Sequence, residues 1–223
     1  MRESGILMHI TSLPAPYGIG TMGKDAYAFV DFLVRAGQRY WQILPLTPTG
    51  YGDSPYQSLG ACAGNHYLID LDRLADEGLL KKEEIQNISW GSNPARVDFG
   101  AMYAHRMNVL RQAFQRFTPD GAYETFVEQN RNWLEDYALF MSLKDLHQGR
   151  SWHEWEPQYQ VLDTRTRKAA LTELADSITY YQFIQFIFFK QWHELKLYAN
   201  KKGISVIGDI PIFVSPDRAD VWA

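Results

Sequence analysis

The amino-acid sequence predicts an α/β fold, and within that class an incomplete (β/α)8 TIM barrel: its first three strands, with a large, mostly helical insertion after strand two. The first observation is a strand–loop–helix–glycine–strand pattern within residues 6–46, which is a βαβ unit. The second is the apolar run 204–214, and the third is the helical character of most of the chain between them. We therefore predict a barrel core of residues 1–60 and 200–223, and an inserted region of residues 61–199 that includes a barrel-packing helix at about 176–201.

The composition limits the class of protein. The formal net charge of −4 comes without a block of like charge, so we expect no nucleic-acid partner. No apolar run approaches the roughly 20 residues that a bilayer requires, and the start is too short and polar for a secretory signal, so we expect a soluble, cytoplasmic protein with no membrane partner. The single cysteine, Cys62, excludes an intrachain disulfide, and its small neighbours predict inert packing. None of the 6 histidines forms a His-x-x-x-His pair, so we predict no metal, and nothing indicates a cofactor.

The first elements follow from apolar spacing and from glycine and proline. Residues 6–10 form a short apolar strand that runs into a loop, 11–20, with two prolines and two glycines. Residues 24–36 carry one apolar stripe at helical spacing, and Gly37 ends that helix. Residues 40–46 then form the second strand. The absence of a Gly-x-Gly-x-x-Gly sequence after the first strand argues against a nucleotide-binding sheet.

The middle of the chain begins with a loop and becomes helical. Residues 47–58 combine turn-forming residues with two tyrosines, and loops this long without regular structure usually serve a function. Residues 65–71 are expected to form a short strand and 72–78 a short capped helix. Helices are predicted over most of 100–148, with a turn at 119–121, an aromatic loop at 149–159, and a long helix or helix pair at 166–201.

The third strand follows a helix ending at Lys201-Lys202-Gly203. Its apolar residues indicate a strand buried on both faces of a parallel sheet. Because Pro211 cannot donate to a ladder, we expect regular pairing to end near Gly208-Asp209. Asp209 then lies at the carboxyl end of the strand, where βα folds place their functional cleft. From its position alone, a structural role for Asp209, as the cap of a turn or as the partner of an arginine, is as well supported as a functional role.

A second set of candidate residues, Asp53, Ser54 and Tyr56, follows strand two. A tyrosine on a glycine-rich loop can stack on the apolar face of a sugar ring, while hydroxyl and carboxylate oxygens accept hydrogen bonds from the ring hydroxyls. A compact loop with a purely structural role is an equally good reading of these residues alone.

Three ordered motifs are Gly50-Tyr51-Gly52-Asp53-Ser54-Pro55-Tyr56-Gln57-Ser58, Thr11-Ser12-Leu13-Pro14 with Gly18-Ile19-Gly20, and Gly208-Asp209-Ile210-Pro211-Ile212-Phe213-Val214. They resemble the motifs of the amylomaltases, which are bacterial 4-α-glucanotransferases of the α-amylase clan. The resemblance implies a TIM barrel with inserted subdomains. It also implies transfer of α-1,4-glucan segments to another glucan or to glucose through a covalent glycosyl-enzyme, with maltose and maltodextrins as partners.

The resemblance also implies roles for residues of this chain. Tyr56 is similar to the ring that stacks on the sugar at the cleavage site, and Asp209 is similar to the strand-three aspartate that contacts the same sugar. Ser54 and Asp53 resemble residues that shape that pocket. Tyr51 resembles an aromatic residue of a secondary glucan site.

The family's nucleophilic Asp, acid/base Glu and third Asp follow strands four, five and seven, and the sequence ends at Ala223 before any of them. We therefore expect an N-terminal fragment, inactive alone, whose partner is the missing C-terminal portion of the same enzyme. A non-catalytic glucan-binding protein and an α-amylase-clan hydrolase are the alternatives.

Overall fold

The structure, a computed structural model, describes residues 2–50, 52–93 and 96–223. The strands are β1 (Gly5–Leu7), β2 (Tyr40–Gln42) and β3 (Ser205–Ile207). The helices are α1 (Lys24–Arg35), α2 (Leu71–Asp76), α3 (Lys82–Gln86), α4 (Phe99–Arg116), α5 (Gly121–Gln129), α6 (Arg131–Leu146), α7 (Pro157–Gln160), α8 (Thr164–Glu173), α9 (Ala175–Lys201) and α10 (Ala219–Trp222). Short 3-10 helices cover Ile10–Ser12, His66–Leu68 and Trp152–Glu154.

The chain divides into two compact units. The first unit contains Met1–Leu46, Asn65–Thr118 and Ile187–Ile210, and the second contains Thr47–Gly64, Pro119–Phe186 and Pro211–Ala223. The sheet belongs to the first unit, and the loop with the candidate tyrosine belongs to the second.

The sheet of the first unit is parallel, in the order β1-β2-β3. Its register pairs Gly5 with Tyr40, and Tyr40 with Ser205. Trp41 on the middle strand is fully buried, and its indole donates a 2.7 Å hydrogen bond to the carbonyl oxygen of Met8. The predicted α/β class with parallel strands is therefore confirmed.

The third strand is less buried than its sequence predicts. Ser205 and Ile207 are exposed, and Ile210, Ile212 and Phe213 beyond it are 77–88% exposed. The prediction of burial on both faces is wrong for the described residues, because Ser205 and Ile207 share one face of β3 and both are exposed, and Val206 on the other face is half-buried. The strand ends at Ile207, as Pro211 predicted.

Most of the predicted helices are confirmed, with their limits set by side-chain caps. Asp98 caps α4 and Asp120 caps α5 by accepting hydrogen bonds from main-chain N–H groups in the first turn. Residues 166–201 form the helix pair α8 and α9. Among the described residues, none of the helices combines the length and apolar character that crossing a bilayer requires.

The expected strand at residues 65–71 is wrong, because side chains take the main-chain groups that a ladder would use. The segment forms a 3-10 helix whose Tyr67 N–H is capped by the side chain of Asn65. The carbonyl oxygens of Tyr67 and Ile69 accept hydrogen bonds from Arg106, which is fully buried on α4. Arg106 therefore replaces the neighbouring strand as the partner of this backbone.

His66, beside Arg106, should make stability depend on pH. Burial, and secondly the positive charge of Arg106, lowers the pKa of His66 to about 3. Below about pH 6.5 the unfolded chain takes up a proton on His66 that the folded chain does not bind. The free energy of unfolding should therefore fall as the pH drops from 6.5, by up to about 1.4 kcal/mol per pH unit for this group.

Urea unfolding of the chain between pH 7 and pH 5 measures this slope. His66→Phe should remove its share of the slope and leave that of His9, whose pKa burial lowers to about 4. The exposed His193→Gln is the control and should keep the full slope. An unchanged slope in His66→Phe would contradict the assignment.

Candidate functional site

The candidate tyrosine lies on an irregular but tightly hydrogen-bonded segment, residues 47–64, here called the tyrosine loop. Gly50 N–H donates to the carbonyl oxygen of Gln57 at 2.7 Å, and Thr49 forms an isolated antiparallel bridge with Ser58. The Thr47 hydroxyl donates to the carbonyl oxygen of Pro55 at 3.3 Å. The tip of the loop is therefore closed on itself by hydrogen bonds.

Asp53 turns the chain at this tip. Its φ angle of 57° lies in the left-handed region, which few residues other than glycine adopt and which Asp and Asn tolerate best. Burial raises the pKa of its carboxyl group. Asp53 is half-buried, so its side chain is available to shape a pocket without standing fully in solvent.

Tyr56 and Ser54 complete this side of the site. The hydroxyl oxygen of Ser54 accepts a hydrogen bond from Tyr56 N–H at 3.3 Å, which ties the backbone of the tyrosine to the serine. The Tyr56 side chain is 45% exposed, so part of its ring can receive a ligand. Tyr51 lies outside the described residues. Asp53, Ser54 and Tyr56 thus occur together on one folded loop.

The far end of the tyrosine loop is anchored to helices of the same unit. The carbonyl oxygen of Leu59 accepts from Ala219 N–H at 2.9 Å, and Ala61 N–H donates to Asp220 at 2.9 Å. At Gly64, the side chain of Gln185 both accepts from the main-chain N–H and donates to the main-chain oxygen. The loop is fixed at its tip and at its base.

Asp209 belongs to the first unit and follows β3 directly. Ile43 N–H donates to the carbonyl oxygen of Ile207 at 3.0 Å, which carries the β2–β3 pairing to the carboxyl end of the strand. Asp209 is exposed, and one of its carboxylate oxygens accepts from Ile210 N–H at 2.8 Å. Its predicted place just past a strand end is confirmed, while its role in sugar binding stays a prediction.

The loop after β1 lines a cleft of about 940 Å³ within the first unit. Residues Thr11–Gly20 form one wall and parts of the segment Ile85–Phe99, with Trp90, form the other. The Tyr17 hydroxyl donates a 2.6 Å hydrogen bond to the carboxylate of Asp72. The Tyr17 ring packs edge-on against the ring of Trp90. This cleft is a further concave surface of the first unit.

Two buried glutamines on α9 bind loop backbone, and the sequence alone does not predict this role. Gln185 and Gln191 are at most 1% exposed, and each binds both main-chain groups of one residue, Gly64 and Asp70 respectively. Their signal in the sequence is that they are two of the three glutamines in the mainly apolar stretch 180–192 of this helix.

Cys62 differs from its prediction, because it is exposed rather than packed. It lies on the part of the tyrosine loop that faces solvent, between Ala61 and Ala63. Although the residue is exposed, partial burial of its thiol, and secondly the charge of Asp220, raises the pKa of the thiol, which lowers its reactivity. Within the described parts of the chain, no group of three or more His, Cys, Asp or Glu residues is placed to hold a metal ion.

Comparison with known proteins gives a consistent result. A family profile described as 4-alpha-glucanotransferase matches residues 8–223. The chain is 46% identical to 4-alpha-glucanotransferases of Clostridium butyricum and Thermus thermophilus, covering 97% and 100% of this chain and 45% of each relative. An amylomaltase from Streptococcus agalactiae, solved in complex with acarbose, superposes with a TM-score of 0.96 at 45% identity, covering 100% of this chain and 46% of that one. The chain thus spans a little under half the length of these relatives.

The left-handed backbone conformation of Asp53 predicts how substitutions at this position change the stability of the chain. Asp53→Val should lower the free energy of unfolding by about 1–2 kcal/mol, since a β-branched residue is strained at positive φ, whereas Asp53→Asn should cost much less. Urea denaturation of the chain measures both. Equal destabilisation by Val and Asn would contradict the conformational explanation.

Proposed function

Because this chain belongs to the 4-alpha-glucanotransferase family, we propose that it is the glucan-binding part of an enzyme that transfers α-1,4-glucan segments between maltodextrins. The observation that carries the proposal is the tyrosine loop, which presents a 45% exposed Tyr56 ring on a backbone hydrogen-bonded at its tip and at its base. An aromatic surface that is already formed binds a sugar without the free-energy cost of ordering a flexible loop.

The substrate-binding residues are Tyr56, Asp209, Ser54, Asp53 and Tyr51. Tyr56 stacks on the glucose ring at the cleavage site, and Asp209 accepts hydrogen bonds from hydroxyl groups of the same sugar. Ser54 and Asp53 hold the shape of the pocket around Tyr56, and Tyr51 contributes to a secondary glucan site. The support for these roles is the match of the motifs to the family, together with the exposure of Tyr56 and Asp209.

The reaction is a retaining double displacement. A carboxylate attacks the anomeric carbon of the donor glucan and forms a glycosyl-enzyme, while a second carboxylic acid gives its proton to the departing glycosidic oxygen. The same group then takes the proton from the hydroxyl of an incoming glucan or glucose, which attacks the anomeric carbon and releases the nucleophile. We place these two carboxyl groups in the part of the parent enzyme that this chain does not include, so the chain alone should be inactive.

The architecture that we propose for the parent is a (β/α)8 barrel. Residues 1–60 and 200–223 would supply its first three strands, and residues 61–199 would be inserted after the second. The parallel order β1-β2-β3 supports this arrangement, because consecutive parallel neighbours joined by helical crossovers are how such a barrel begins.

The parent enzyme tests the proposal directly. Incubated with maltotriose, it should produce glucose together with maltodextrins longer than maltotriose, which chromatography of the products resolves. Glucose and maltose without longer products would indicate a hydrolase instead. Binding of maltoheptaose to a parent that converts none of these sugars would indicate a non-catalytic glucan-binding protein.

Substitution of Tyr56 tests the stacking role. Tyr56→Ala should raise the KM for maltotriose by roughly tenfold, because an aromatic contact is worth about 0.5–1.5 kcal/mol beyond the area that it buries. Tyr56→Phe keeps the ring and should stay within about threefold of the parent. Val161→Ala removes an exposed apolar side chain outside the tyrosine loop and serves as the control. Unchanged KM in Tyr56→Ala would place the sugar elsewhere.

A further inference from the structure

The base of the tyrosine loop is held by one buried side chain, that of Gln185. Its Oε1 accepts from Gly64 N–H at 2.7 Å and its Nε2 donates to the Gly64 carbonyl oxygen at 3.0 Å. Gln185 is 0% exposed, so both bonds are made out of contact with water. In this arrangement the side-chain amide takes the place that a neighbouring strand would occupy and satisfies both polar groups of one residue.

Gly64 is the point at which the tyrosine loop ends. Between it and the tip, Leu59 and Ala61 are held by Ala219 N–H and by Asp220, whose carboxylate is 38% exposed. The Ser58 hydroxyl adds a tight turn by donating to the Gly60 oxygen at 2.6 Å. Gln185 reaches this segment from helix α9 and is fully buried, so water cannot replace its two hydrogen bonds when the side chain is removed.

We propose that Gln185 is a positioning residue for glucan binding, which fixes the backbone at Gly64 and thereby the position of the Tyr56 ring. The inference rests on the proposed function and adds a residue to it that does not touch the sugar. A buried amide in an apolar helix is costly unless both of its polar groups are bonded. Here both bonds go to the loop that carries the candidate sugar-binding ring.

The same helix provides a matched control. Gln191 is 1% exposed, its Oε1 accepts from Asp70 N–H at 2.7 Å, and its Nε2 donates to the Asp70 oxygen at 3.2 Å. Asp70 caps α2 and accepts from the Thr21 hydroxyl at 2.6 Å, in the first unit. Gln191 therefore makes the same chemical contact with a segment that carries no proposed sugar-binding residue.

The test compares Gln185→Met with Gln191→Met in the full-length parent enzyme. Both variants should melt at a lower temperature, because each leaves two buried main-chain groups unpaired. Only Gln185→Met should raise the KM for maltotriose, by about tenfold, with kcat reduced less than threefold. Equal KM values in the two variants would overturn the inference, since they would show a role in stability alone.

Gln185→Glu is a second variant for the case in which Gln185→Met does not fold. When ionised, its carboxylate can accept from Gly64 N–H but cannot donate to the Gly64 oxygen; when protonated, it can do both. Its KM should exceed that of the unsubstituted enzyme at pH 8 and return toward it near pH 5. If the melting temperature of this variant falls between pH 5 and pH 8, which shows that the carboxyl group ionises, a KM ratio that stays constant would overturn the inference.

Hydrogen exchange separates this inference from the proposed function. In Gln185→Met, the main-chain amides of residues 52–58 should exchange at least tenfold faster than in the unsubstituted protein, and in Gln191→Met they should not. If the parent does not lengthen maltotriose, the proposed function fails whatever this measurement gives. If the exchange of residues 52–58 is unaffected by Gln185→Met, the positioning role fails even in an active enzyme.

Discussion

The hydrogen bonds that buried side chains make to loop backbone are the constraint on which this structure depends. The strands have three residues each, so the main chain that lies outside both the helices and the sheet needs other partners. Gln185, Gln191 and Arg106 provide them at Gly64, at Asp70 and at the carbonyl groups of Tyr67 and Ile69. Each of these side chains is almost fully buried, where an unpaired polar group would be costly.

Under the proposed function, this constraint has a consequence for glucan binding. Binding a flexible glucan already requires the sugar to lose conformational freedom, so a loop that also had to order would weaken binding further. The tyrosine loop avoids that cost through the Gly50–Gln57 hydrogen bond at its tip and the Gly64–Gln185 pair at its base. The exposed ring of Tyr56 is then carried by a backbone whose shape is set before any ligand arrives.

Features with a local signature in the sequence were predicted well. Helix α1 has an apolar stripe and a terminal glycine, and α5 starts after Asp120, whose side chain caps it. Asp209 was placed at a strand end because Pro211 cannot continue a ladder, and the strand indeed ends at Ile207. The order of three parallel strands follows from the same local patterns combined with right-handed crossovers.

Features that depend on distant side chains could not be predicted. Residues 65–71 have the composition of a strand, but Arg106, 37 positions away from Ile69, takes the carbonyl groups that a strand would pair. The pairing of Gln185 with Gly64 spans 121 positions and leaves only an amide in an apolar helix as its trace in the sequence. The exposure of Ile207 depends on what packs against the face of the sheet, and the periodicity of the sequence does not reveal this.

The most direct test of the account is a crystal structure of the full-length parent enzyme with a bound maltodextrin. We expect a glucose unit stacked on the Tyr56 ring, with carbon atoms of the two rings within about 4 Å, and a tyrosine loop whose Gly64–Gln185 hydrogen bonds are intact. A maltodextrin bound at the catalytic carboxylates with no sugar in contact with Tyr56 would contradict it.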